Sequence, residues 1–244
     1  HIFSITRLKV LGKLLLTDRG FLVIIYFKMT QKPKIRLRDI CVRAVQAVGW
    51  LLLRPLLKFF IRYRYHSQID LKKIKTPVIV IANHFSNLDP VIVGTILPFG
   101  STIYPIYFIA KDTLLTVPIL GGFLKLCGAF RAHKKEGYEK SLAEPKKILA
   151  NGHSIMIFPQ GHRYREFRID QGRTGTAMLA LESGRPVLPI AICGVNGFSW
   201  KNVFLRRYRV NVVVGESFFL AEKLKVAHAE LVDLRMATKV LMRE

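Results

Sequence analysis

Pro77-Val78-Ile79-Val80-Ile81-Ala82-Asn83-His84-Phe85-Ser86-Asn87-Leu88-Asp89-Pro90 passes through three kinds of local structure. The first six residues are apolar and mostly β-branched, which predicts a buried strand. Ser86-Asn87 is turn chemistry, because short polar side chains bond the backbone beside them. Asp89-Pro90 then opens an apolar run, and proline suits the first turn of a helix. His84 therefore falls where a strand ends and Asp89 where a helix begins. On an uninterrupted helix their side chains would diverge by roughly 140°, and on a straight strand they would face opposite sides. The turn between them brings them within reach, as a proton-handling pair requires. A structural histidine and an N-cap aspartate leave the same local pattern, so the neighbouring segments decide between the readings.

Outward from this stretch, short apolar runs alternate with helical ones. The expected strands are Val78–Ala82, Tyr104–Ala110, Ala129–His133, Ser154–Phe158, Val187–Cys193 and Val210–Gly215. The expected helices lie near Pro90–Leu97, Thr113–Leu126, Tyr138–Ala150, Thr174–Ser183 and Ala221–Met242. That rhythm predicts an α/β fold with a mixed, mostly buried sheet covered by helices. Sheets of this kind carry reactive groups at strand ends, which is where His84 falls. There is no internal repeat.

Half of the 244 residues are apolar, yet the formal net charge is +23. Disordered basic tails are polar and ordinary soluble enzymes lie nearer neutrality, so the combination suits an anionic membrane surface, anionic substrates or nucleic acid. Cys41, Cys127 and Cys193 are odd in number and widely spaced, which argues against a disulfide framework or a zinc site and suits buried small hydrophobes.

The charge is concentrated at the front. Residues 1–66 hold 14 lysines and arginines against two aspartates. Lys9, Lys13, Asp18 and Arg19 interrupt the apolar run 8–27; Arg43, Arg54, Pro55 and Lys58 interrupt the run 40–61. Neither is a clean transmembrane span, which needs about 20 mostly apolar residues. In the second run Arg43, Arg54, Lys58 and Arg62 keep a helical beat opposite Val48, Trp50, Leu52, Leu56 and Phe59. This predicts a helix in the headgroup layer, its cations on phosphates and Trp50 at the interface. No small-x-small cleavage site follows the first apolar run, so no cleaved secretory signal is expected. The expected division is residues 1–66 as membrane-associating basic amphipathic helices and 67–244 as the catalytic domain.

Three further blocks follow the first. Ala110-Lys111-Asp112-Thr113-Leu114 precedes Gly128-Ala129-Phe130-Arg131-Ala132-His133-Lys134. Phe158-Pro159-Gln160-Gly161-His162-Arg163-Tyr164-Arg165 is a strand running into a Pro/Gly turn beside arginines, an anion cradle by its chemistry. Val187-Leu188-Pro189-Ile190-Ala191-Ile192 closes the series. Across roughly residues 67–215, these blocks and the His84-x4-Asp89 run resemble the glycerolipid (lysophosphatidic acid) acyltransferase family in order and spacing. Lys134 stands where that family usually has arginine, Gln160 where it has glutamate and His162 where it has threonine.

The resemblance implies acyl transfer from a thioester to a lipid hydroxyl, giving phosphatidic acid from lysophosphatidic acid. His84 would be the general base and Asp89 would brace its ring, with the substrate's hydroxyl in place of a serine. Arg163 would hold the acceptor phosphate, with Arg165, Lys111, Arg131 and Lys134 as helpers. Asn83, Gln160 and Gly161 would support the motifs, and backbone N–H groups near Gly161 would receive the oxyanion. The implied donor is acyl-coenzyme A or acylated carrier protein (acyl-CoA or acyl-ACP), with no bound cofactor and no metal. The implied partners are lysophosphatidic acid and an anionic membrane, at the cytoplasmic face of the cell membrane. Related activities on glycerol 3-phosphate, lyso-ornithine lipid or a mannolipid remain open. So does a non-catalytic basic membrane- or nucleic-acid-binding protein, although most of the aromatics lie in apolar runs such as Phe59-Phe60 and Phe218-Phe219, so nucleic acid is not expected.

Overall fold

The computed structural model describes residues 11–16, 22–27, 36–74, 77–131, 133, 136–195, 197–225 and 233–244. At the front, β1 (Leu11–Leu16) pairs antiparallel with β2 (Leu22–Phe27). Of the N-terminal helices expected there, the described residues contain one, α1 (Leu37–Phe60). The runs that pair in β1 and β2 are six residues each, too short for a stable helix, and β2 is rich in the β-branched and aromatic types that favour strands.

The main body is a seven-stranded sheet in the order β3-β9-β8-β4-β7-β5-β6. The strands are β3 (Arg64–Ser67), β4 (Ile79–Ala82), β5 (Ile106–Ala110), β6 (Ala129–Arg131), β7 (Ser154–Ile157), β8 (Val187–Cys193) and β9 (Asn211–Val214). From β8 through β4, β7 and β5 to β6 all neighbours are parallel, while β9 runs antiparallel to β8 and carries β3 parallel to itself. The sheet is therefore mixed, and all six expected strands are present.

The centre of the sheet is covered on both faces, which explains why β4 is apolar at every position. Val78, Val80 and Ala82 point into one core with α2 (Asp89–Ile96) and the C-terminal half of α1. Ile79 and Ile81 point into the other, with α5 (Gly137–Ala150), α6 (Thr174–Ser183), α8 (Leu220–Leu224) and α9 (Leu234–Arg243). The expected helix over 113–126 is two: α3 (Asp112–Leu115) and α4 (Leu120–Leu126), separated at Val117-Pro118. A further short helix, α7 (Trp200–Phe204), precedes β9. The three cysteines are free, and Cys41 and Cys193 are exposed instead of buried.

One side of α1 is fastened to the domain by polar side chains. Gln46 donates to Ile106 O at 2.6 Å and Cys127 O at 2.9 Å, and accepts from the Ile106 N–H at 3.1 Å. Asp39, buried in the first turn, accepts from the Tyr107 hydroxyl and from the Arg36 N–H, with His153 Nε2 at 3.2 Å. Burial alone would raise the Asp39 carboxyl, but these donors outweigh it and hold the carboxyl below its ordinary value. Burial and then Asp39 raise the Tyr107 hydroxyl in turn.

Trp50 and Arg54 lie together on this inner side, half-buried, and not on opposite sides of the helix. The Trp50 indole donates to Leu97 O at 3.0 Å, and the Arg54 guanidinium lies 4.6 Å from its ring centre. The outer side carries Leu37, Ile40, Val48, Leu51, Leu52, Leu56 and Phe59, all exposed. α1 is the one helix among the described residues long and apolar enough to cross a bilayer. Leu114, Val117, Ile119, Leu120, Phe123 and Leu126 of the α3–α4 segment form a second exposed apolar surface. Apolar area on this scale marks a contact with something other than water.

Candidate active site

Three adjacent parallel strands, β5, β7 and β4, deliver their C-terminal ends to one place. At the end of β4, Asn83 replaces backbone pairing with its side chain. Its Nδ2 donates to Ile192 O at 2.7 Å and its Oδ1 accepts from the Ile192 N–H at 2.6 Å. The strand is held to β8 while the following backbone is released to turn.

That turn closes on Asp89, whose side chain is fully buried. Oδ2 accepts from His84 Nδ1 at 2.9 Å, from the Phe85 N–H at 2.6 Å and from the Ser86 N–H at 2.7 Å. Oδ1 accepts from the Ser86 hydroxyl at 2.5 Å. Four donors satisfy a carboxylate that burial would otherwise penalise. Because a carboxylate only accepts, Nδ1 carries the hydrogen and Nε2 is the basic nitrogen. Among the described residues Nε2 makes no hydrogen bond, and His84 lines a groove of about 2550 Å3. The Phe158 ring stacks on the imidazole at 4.2 Å and 18°. The pair expected from sequence is formed.

The third block reaches the same point from β7. Gln160, fully buried, accepts the His84 N–H at 2.8 Å through Oε1 and donates to Gln171 Oε1 at 3.0 Å through Nε2. Gln160 thus ties the base's backbone to the short 3-10 turn Ile169–Gln171. The Tyr164 N–H donates to His84 O at 3.0 Å, so Arg163 and Arg165, on either side of Tyr164, are strapped to the base. Both line a side pocket of about 430 Å3 with Ser86, Asn87 and Trp200, and Arg163 also lines the main groove. Among the described residues neither arginine is in an ion pair.

Gly161 has φ +68°, and a Cβ there would meet Arg173 Cδ at 2.8 Å. A side chain there would be strained by its conformation and would push the Arg173 side chain aside. Its N–H, however, donates to Phe158 O at 2.9 Å, which removes it as an oxyanion donor.

The second block contributes less than expected. Lys111 lines the groove at the end of β5. Arg131 faces Asp112 at 3.6 Å as a half-exposed pair and does not line the groove. Lys134 lies outside the described residues. Arg43 lies 5.9 Å from the Phe99 ring centre while Lys58 is exposed; Arg62 sits beyond the end of α1 at φ 46°.

Two residues with no assigned role stand at the site. Ser86 completes the Asp89 carboxylate, and its turn chemistry was the available signal. Arg173 extends over Gly161 and donates to His162 Nε2 at 2.5 Å, with its N–H on Pro159 O at 2.9 Å. No local pattern around Arg173 announces this.

Four properties therefore coincide: a basic imidazole nitrogen, a buried carboxylate bracing it, arginines on a segment whose backbone is bonded to the histidine, and a groove whose lining includes Val48, Leu52 and Val91. A histidine so placed can take a proton from a hydroxyl while an anionic group is held close by and an alkyl chain lies along the wall.

Comparison with known proteins agrees with this chemistry. A family profile described as Acyltransferase matches residues 62–193, more than half of the chain. The 1-acyl-sn-glycerol-3-phosphate acyltransferase of Borreliella burgdorferi is 31% identical over 131 residues, 53% of this chain and 50% of the relative. The Brassica napus chloroplastic 1-acyl-sn-glycerol-3-phosphate acyltransferase BAT2 is 25% identical over 191 residues, 65% of this chain and 54% of the relative. The chain spans about half the length of the curated relatives it matches. The crystal structure of the 1-acyl-sn-glycerophosphate (LPA) acyltransferase PlsC from Thermotoga maritima superposes with a TM-score of 0.56 at 19% identity. It covers 84% of this chain and 78% of that one, a likeness of fold.

Proposed function

Since this chain belongs to the acyltransferase family, we propose that it moves a fatty acyl group from a thioester to the free hydroxyl of lysophosphatidic acid, giving phosphatidic acid. The observation that carries the reading is His84, held by Asp89 with Nε2 unengaged, at a groove lined both by apolar side chains such as Val48, Leu52 and Val91 and by the cations Lys111, Arg163 and Arg173. The names of the relatives favour a 1-acyl-glycerol-3-phosphate acceptor over glycerol 3-phosphate or another lysolipid.

The acceptor's phosphate enters the side pocket on Arg163 and Arg165, which places its hydroxyl toward His84 and its alkyl chain in the groove. Nε2 takes the hydroxyl proton as the oxygen attacks the thioester carbonyl. The tetrahedral intermediate collapses with cleavage of the carbon–sulfur bond, and the imidazolium returns the proton to the departing thiolate. Asp89 keeps the tautomer and steadies the transient imidazolium. Lys111 supports the anion from the β5 end. The exposed apolar faces of α1 and the α3–α4 segment, with Arg43, Lys58 and Arg62 nearby, seat the groove at an anionic bilayer on the cytoplasmic side. The chain before β3 acts as the membrane-associating part, and the chain from β3 (Arg64–Ser67) onward as the catalytic part.

The test is mass spectrometry of lipids after purified protein receives vesicles containing lysophosphatidic acid, with acyl-CoA and acylated carrier protein in parallel. Phosphatidic acid should accumulate with at least one donor and vanish with His84→Ala. Equal product from the variant refutes the assignment of the base.

A further inference from the structure

α9 lies beyond the segment that carries the family resemblance, yet it forms part of the groove wall. Its Arg235, Thr238 and Lys239 lie three and four residues apart, on one face of the helix, and all three line the groove that contains His84. The helix is seated there by close packing. A Cβ on Gly172 would meet Thr238 Cγ2 and Met242 Cγ at 2.7 Å, so the helix touches the backbone next to Arg173. Ala237 and Leu241 enter the second core and fix its rotation.

Arg173, Arg235 and Lys239 thus form a second cationic cluster on the groove, drawn from the loop before α6 and from α9. The carboxylates of the same wall are already engaged. Asp112 faces Arg131, Glu136 faces His133 and Lys140, and Asp170 holds Arg168 through both oxygens. Among the described residues none of the three clustered cations is in an ion pair with a carboxylate. Arg235 and Lys239 line the main groove and not the side pocket; Arg165 lines the side pocket and not the groove.

The proposed reaction brings two anionic substrates to one base. One phosphate is met by Arg163 and Arg165. The groove, at about 2550 Å3, exceeds the roughly 300–1,000 Å3 of a typical single-ligand pocket. We propose that Arg173, Arg235 and Lys239 receive the phosphate-bearing arm of the acyl donor, a phosphopantetheine thioester, while its acyl group reaches His84. This rests on the acyl-transfer reading and deepens it. The shared chemistry is a phosphate on the pantetheine arm, whether coenzyme A or a carrier protein supplies it.

The experiment compares wild type with Arg235→Ala/Lys239→Ala, two exposed side chains whose removal leaves the cores intact. Three donors of equal chain length are used: acyl-CoA, acylated carrier protein, and acyl-pantetheine, which lacks phosphate. For the phosphorylated donor that the protein uses, KM should rise about tenfold, with kcat and the KM for lysophosphatidic acid unchanged. Acyl-pantetheine should react equally with both proteins. A rise with acyl-CoA alone assigns the cluster to the nucleotide phosphates, and a rise with both assigns it to the phosphate next to pantetheine. An equal loss with all three donors, or none with any, overturns the proposal. Direct titration of free coenzyme A separates the two readings. Weakened binding by the double variant in a protein without acyl transfer would refute the reaction and leave the cluster standing.

Discussion

Asp89→Asn tests the site at its most constrained atom. Alanine is the poorer probe, because it leaves the buried N–H groups of Phe85 and Ser86 without an acceptor, at about 1–3 kcal/mol each. Against a total stability of roughly 5–15 kcal/mol, that confounds folding with chemistry. Asparagine can be fitted without that loss. If its Oδ1 takes the place of Oδ2, it still accepts from Phe85, Ser86 and His84 Nδ1, at 2.6, 2.7 and 2.9 Å in the native arrangement. Its Nδ2 then faces the Ser86 hydroxyl, which can turn its hydrogen away and accept. The tautomer survives and the negative charge does not. With charge centres about 4 Å apart and an effective dielectric constant near 20, an imidazolium and a carboxylate attract by about 4 kcal/mol. That term is present only when His84 has taken the proton, so it belongs to the transition state. At about 1.4 kcal/mol per tenfold, kcat should fall by roughly a thousandfold. Because ground-state contacts persist, the KM for lysophosphatidic acid should stay within about twofold. Lost charge assistance on the loop hydrogen bonds should lower unfolding stability by about 1–3 kcal/mol. Steady-state turnover and urea unfolding on the same preparation read both. A variant that folds and turns over within tenfold of wild type would show that the carboxylate is only a structural cap.

Two further outcomes are expected. Tyr107→Phe removes one donor from Asp39 and should cost about 1.5–3 kcal/mol at neutral pH by urea unfolding. Because the native Asp39 carboxyl is held below its ordinary 3.8, that stabilisation is fully present above this pH and is lost as acid protonates the native carboxyl, so the difference between the proteins should close in acid; a constant difference would remove Asp39 from the anchor. Gly94→Leu adds a side chain where the groove is open; turnover should shift toward shorter acyl chains, each methylene that no longer fits costing roughly 10–200-fold, and an unaltered chain-length profile would place the acyl chain elsewhere.

Much of the site was legible because it is local. His84, Ser86 and Asp89 lie within six residues, and strand, turn and helix signals specify how those residues fold back. The buried strands were legible for a similar reason, since the centre of the sheet has two covered faces and shows it as unbroken apolar runs. β3 was missed because it is an edge strand, mostly exposed, with no apolar pattern to betray it. Arg173 was missed because its role arises from packing over Gly161, twelve residues away, where no spacing rule operates. Trp50, four residues before Arg54 and so on the same side of the helix, marks another limit. Helical periodicity groups residues on a face, but whether that face turns inward depends on partners such as Leu97 that are distant in sequence. Gln160 is clearer in three dimensions: an amide can accept from the His84 N–H and donate to Gln171, two bonds that a carboxylate makes only if Gln171 reverses its own amide.

Every hydrogen bond to the Asp89 carboxylate originates between residues 84 and 86. The proton-transfer unit is thus closed on itself within six residues, and distant segments reach it through the Asn83 side chain, the His84 backbone and the His84 ring face. Divergence in the flanking helices can reshape which lipids are admitted without retuning the reactive nitrogen. By the same logic, circular permutants opened between β9 and α8 should keep an intact base, and any fall in their turnover would reflect substrate seating instead of proton chemistry.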